Sequence, residues 1–112
     1  MAFDTKAVGV VHTVHVEKTG VKNIDYKPGL LWVQLHDRVK FVGNRNLIIH
    51  FPSGSPFAVD TLGGKANEDT PSPDGQEVVN GPGLFHYHVF LTSPESGRVE
   101  VSDTRCPSIG VD

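Results

Sequence analysis

Apolar and polar side chains alternate along most of this chain in short stretches separated by glycine, proline, asparagine and aspartate. Side chains on a strand point alternately to opposite faces, so the pattern predicts strands with one buried face. No segment has the i, i+3, i+4 spacing of a long amphipathic helix. The stretch from Gly83 to Val89 is the clearest strand, with Phe85, Tyr87 and Val89 inside and His86 and His88 together on the outer face. From Ala7 to Glu17, Val8, Val10, Val14 and Val16 take the inner face with His12 among them, and His12 is expected to be a hydrogen-bonded core or edge histidine. Leu31, Val33 and Leu35 alternate against Trp32, Gln34 and His36, a turn follows at His36-Asp37, and the strand from Arg38 to Val42 resumes through Val39 and Phe41. Gly43-Asn44-Arg45-Asn46 predicts another turn, followed by Leu47 to Phe51 with Leu47, Ile49 and Phe51 inward, and Pro52 ends that strand.

Between Pro56 and Pro82 the strand pattern thins and turn residues dominate. A segment of that length is read either as a binding lid or as a surface loop with a short edge strand from Gln76 to Val79. Beyond the Gly83 to Val89 strand, a turn at Ser93 to Gly97 leads into Arg98 to Ser102 with Val99 and Val101 inward, and a polar tail holds Cys106. The expected core is therefore Val33, Leu35, Val39, Phe41, Phe85, Tyr87, Val99 and Val101.

Composition narrows the choices. At 112 residues and 38% apolar, the chain is sized for one domain, 1–112, with one modest core. A formal charge of -3, with acids and bases scattered, offers no basic stripe for phosphates, so nucleic acid is not an expected partner. No apolar run is long enough to span a bilayer, and Met1 to Lys6 lacks the order of a secretory signal. A soluble chain is expected, its compartment open, and periplasmic or extracellular if a signal was removed. The single cysteine rules out an internal disulfide framework.

The order of these signals resembles the cupredoxin family. Tyr26-Lys27-Pro28, Leu31, Val33, His36-Asp37, Val39, Phe41 and Asn44 are similar to the family's first half, with His36 where a glycine usually stands. Gly83, Phe85 and Tyr87 resemble the run that leads to the copper loop, and Gly97 to Val101 the last strand. The resemblance implies an all-β Greek-key β-sandwich of seven or eight strands. It does not carry over the copper ligands: Val89 occupies the cysteine position, Phe90-Leu91-Thr92 replaces the region of a histidine, and Met1 is the only methionine. Without soft sulfur ligands a blue-copper site is not expected.

A different metal site can be assembled from histidines. If Leu47, Ile49 and Phe51 face the core, His50 points outward, and in the cupredoxin arrangement its strand lies beside the one carrying His86 and His88. His50, His86 and His88 are thus candidate ligands for copper or zinc, since imidazole suits both metals. His86-x-His88 also resembles the start of a cupin metal motif, but the later glutamate and histidine are missing. No nucleophile elbow and no glycine-rich phosphate loop is present. Two readings stand: a non-catalytic binding or assembly module without a cofactor, contacting a protein partner or a second copy through a sheet face, and a histidine-based copper or zinc protein for metal handling or redox work.

Overall fold

The computed structural model describes residues 10–103 and 107–112. Val8 and Cys106 lie outside the described residues. Those described form eleven short strands and no helix: β1 (Val11–Thr19), β2 (Asn23–Lys27), β3 (Leu30–Val33), β4 (Arg38–Gly43), β5 (Asn46–His50), β6 (Thr61–Gly64), β7 (Gln76–Glu77), β8 (Gly83–His86), β9 (His88–Thr92), β10 (Val99–Asp103) and β11 (Ser108–Val111). They join into three sheets, ordered β2-β1-β4-β7, β10-β9-β5-β6 and β3-β11-β8. Two pairings are parallel, β1 with β4 and β3 with β11. Parallel partners cannot be joined by a tight hairpin, so each parallel pair is connected through other strands.

All three sheets send side chains into one core. Val14, Val39 and Phe41 come from the first sheet, Leu47, Ile49, Val89 and Leu91 from the second, and Val33, Ile109 and Val111 from the third. Each fully buried aliphatic or aromatic side chain removes apolar surface from water and contributes about 1.5–3 kcal/mol. Tyr87 sits at the centre, edge-on to Tyr26 and Phe41 and tilted against Phe51, with ring centroids 6.4, 5.7 and 5.3 Å away.

The alternation from Gly83 to Val89 keeps its predicted phase, but the stretch is two strands. β8 pairs with β11 in the third sheet, whereas β9 pairs with β5 and β10 in the second. The change of sheet occurs at Tyr87, whose N–H donates to the Pro107 carbonyl at 2.9 Å. Phe85, on the β11 side of this step, is only half-buried.

Other expected core positions lie at the surface. Leu35 is 40% exposed because β3 stops at Val33 and the chain turns at once. The Gln34 N–H donates to Asp37 Oδ2 and the Asp37 N–H to the Gln34 carbonyl, both at 3.1 Å, so the two residues close the turn around Leu35 and His36. Val99 is 56% exposed because β10 bulges: Val99 pairs with Thr92 and Val101 with Leu91, which leaves Glu100 as an extra residue. Val10, expected inside, precedes the first paired residue of β1 and is exposed.

Three strands were hidden in the sequence. β2 occupies Asn23–Lys27, to which the alternation assigned no strand, β6 lies inside the long excursion, and β11 lies in the supposed polar tail. β11 is buried throughout, with Ile109 and Val111 in the core. The excursion is built into the packed sheets. β6 pairs with β5 and β7 pairs with β4 as an edge strand. Phe41 and Thr70 exchange backbone hydrogen bonds of 2.8 Å in both directions, and Phe57 and Val78 are buried in the core.

Candidate functional site: a histidine pair and an aromatic face

β5 and β9 run antiparallel with Ile49 opposite Val89 and His50 opposite His88. Ile49 and Val89 are fully buried, so the next residue on each strand projects outward, and both histidines are half-buried. Residues directly opposite on antiparallel strands hold their Cβ atoms about 4.5–5.5 Å apart. On its other flank His50 is opposite Thr61 of β6, and its Nδ1 lies 2.9 Å from Thr61 Oγ1. The Thr61 hydroxyl donates in turn to Asp60 Oδ1 at 3.1 Å. A hydroxyl has one proton to give, so Thr61 accepts from His50, and in the neutral imidazole this arrangement selects the tautomer with the proton on Nδ1 and the lone pair on Nε2.

His86 belongs to a different sheet. It is opposite Ser108 of β11, with Nδ1 2.6 Å from Ser108 Oγ. The change of sheet at Tyr87 thus separates it from the His50–His88 row, although alternation alone put all three on one face. Among the described residues, no three histidine, cysteine, aspartate or glutamate side chains are grouped to hold a metal ion. Val89, at the position that the family resemblance assigns to a cysteine, is a fully buried core residue.

His12 has the partner expected of a half-buried histidine, its Nε2 lying 2.9 Å from Oδ2 of the buried Asp37. That carboxylate also holds the Gln34 turn, so His12 ties β1 to the end of the molecule where β4 begins. A shallow groove of about 430 Å³ is lined by Asn67, Glu68, Asp69, Pro71, Ser72 and Pro73, and Asp69 Oδ1 lies 3.3 Å from Lys40 Nζ. It brings no imidazole or thiol together.

The third sheet carries an apolar outer face. Gly110 of β11 is opposite Trp32 on one side and Leu84 on the other, and Ser108 is opposite Leu30 and His86. Ile109 points into the core, so these neighbours point out. Leu30, Trp32 and Leu84 are each about half exposed, at 48, 54 and 49%. A Cβ placed on Gly110 would lie 2.5 Å from both Trp32 Cε3 and Cζ3 and 2.9 Å from Cδ2. An edge-on ring would hold Cδ2 well beyond the two outer atoms, so the indole lies face-down on Gly110. Its other face is open to solvent. The period-two pattern placed Trp32 outward, but its glycine seat depends on a strand pairing across most of the chain, for which sequence alternation carries no signal.

Tyr87 is the remaining chemical oddity. Its hydroxyl is buried and has no hydrogen-bond partner among the described residues, and burial pushes its pKa above the ordinary 10.0. In comparisons with known proteins, no family model and no curated protein matches the chain.

Proposed function

We propose that this chain is a cupredoxin-like Greek-key sandwich without a blue-copper centre, working as a non-catalytic binding or assembly module whose contact surface is the outer face of β3-β11-β8. Support for the family reading comes from β5 lying beside β9, the neighbourhood that the resemblance implies for these strands. Trp32 carries the contact surface: a flat indole seated on Gly110, open on one face and flanked by Leu30 and Leu84. Exposed tryptophan is costly to leave in water, and interface hot spots are enriched in it because it buries a large rigid surface at little conformational cost.

Trp32 is the only tryptophan in the chain, so its fluorescence reports on this face alone. Sedimentation over a wide concentration range tests a second copy as the partner, and reconstitution with a purified protein tests a different one. In either complex the Trp32 emission shifts to the blue, and Trp32→Ala weakens association by roughly tenfold or more. A complex that leaves the emission unchanged and forms equally well with Trp32→Ala refutes the assignment.

A further inference from the structure

We propose that His50 and His88 form a two-imidazole site for a divalent transition-metal ion, with Cu(II) the preferred occupant. It lies on the second sheet and does not depend on the reading of the Trp32 face. The two residues are direct cross-strand partners, and the buried Ile49–Val89 pair beside them fixes the register that turns both outward. A slip of one residue would drive Ile49 and Val89 into solvent, so the core itself keeps the imidazoles together. The relay from Asp60 through Thr61 to His50 Nδ1 holds the His50 ring in the tautomer whose Nε2 is free to bind a metal. Metal-bound histidines commonly have such an outer hydrogen bond, which fixes ring orientation and raises the basicity of the ligating nitrogen.

His86 is left out because its strand pairs with β11 in another sheet, so it has no place in the β5–β9 row. With two protein nitrogens, water fills the remaining positions. Two neutral nitrogens with water suit the tetragonal preference of Cu(II), which also stands above Ni(II) and Zn(II) in intrinsic affinity. Binding exchanges two water ligands of the aqua ion for two imidazole nitrogens.

The test is a titration of the tag-free chain with copper(II) chloride in a weakly coordinating buffer, followed by calorimetry and electron paramagnetic resonance. One equivalent binds, and the spectrum carries hyperfine splitting from two nitrogens. His50→Gln and His88→Gln each lower affinity at least tenfold and remove one nitrogen from the spectrum, whereas His86→Gln changes neither. Thr61→Val lowers affinity by roughly tenfold, and Thr61→Ser restores it. Because a substitution in a half-buried row can disturb folding, the unsubstituted protein supplies a second readout: substoichiometric Cu(II) broadens the His50 and His88 ring resonances first. Equal affinity in the double variant His50→Gln/His88→Gln, a one-nitrogen spectrum, initial broadening at other histidines, or no stoichiometric binding would each overturn the site.

Discussion

At the scale of the residue, His36 and Tyr87 both depart from what their side chains prefer. His36 has φ of +74°, in the left-handed region that a Cβ makes unfavourable by about 1–2 kcal/mol. Its ring meets Glu77 at 2.9 Å, but both side chains are largely exposed and such a pair contributes little. His36→Gly is therefore expected to raise stability by roughly 0.5–1 kcal/mol in urea unfolding, after allowance for the greater freedom of glycine in the unfolded chain. A loss would show that the His36–Glu77 contact outweighs the backbone strain. Tyr87 presents the opposite problem, a favourable ring with an unfavourable hydroxyl. Removing an unsatisfied buried hydroxyl in Tyr87→Phe is expected to stabilise the fold by about 1 kcal/mol. The raised pKa also has a direction in pH: the folded state holds the phenol proton more tightly, so stability is intact below pH 10.0 and falls above it as the unfolded chain ionises. Relative to Tyr87→Phe, the unsubstituted protein should lose about 1.4 kcal/mol for each further pH unit until the folded phenol ionises. Parallel alkaline stability curves for the two would refute the buried-phenol account.

At the scale of the element, the strands hold where alternation meets a partner and fail where the chain turns or bulges. Phe41 combines both requirements, being fully buried beneath Tyr87 and hydrogen-bonded through its backbone to Thr70. Phe41→Ala keeps the backbone bonds but opens a cavity, and a loss of about 3–5 kcal/mol is expected by chemical denaturation. A loss under 1 kcal/mol would mean that the surrounding strands collapse into the space. Alternation identified the inward faces of β1, β4, β5 and β9 because each has one buried and one outward set. It misassigned Leu35 because a two-residue turn ends β3, and Val99 because the Glu100 bulge shifts the phase. It passed over β11 because Gly110 and Ser108 are small, so Ser-Ile-Gly-Val does not stand out from a tail. In the fold that smallness is the condition for seating Trp32.

At the scale of the whole molecule, the all-β fold places its two outer features on different sheets, the His50–His88 row on the second and the Trp32 face on the third. Neither offers sulfur to a metal. Adding Cu(II) to the protein is expected to give only the weak absorption of nitrogen and oxygen coordination, without the intense blue thiolate charge-transfer band. Such a band, read by visible spectroscopy, would require a thiolate ligand and would overturn the ligand reading made from Val89.

The sequence by itself determined the all-β class, the position of most turns and the faces of the central strands, because hydrophobic burial acts on each strand locally and leaves a period of two. It also put His50 beside the strand of His86 and His88, through the family resemblance. Only the tertiary structure decided that His88, and not His86, is the partner of His50, because the chain changes sheet at Tyr87 and a sheet change leaves alternation intact. The glycine seat of Trp32 was settled at the same level. Pairing β3 with β11 brings residues 32 and 110 together, and contacts between such distant residues depend on how whole sheets pack, which no local pattern records.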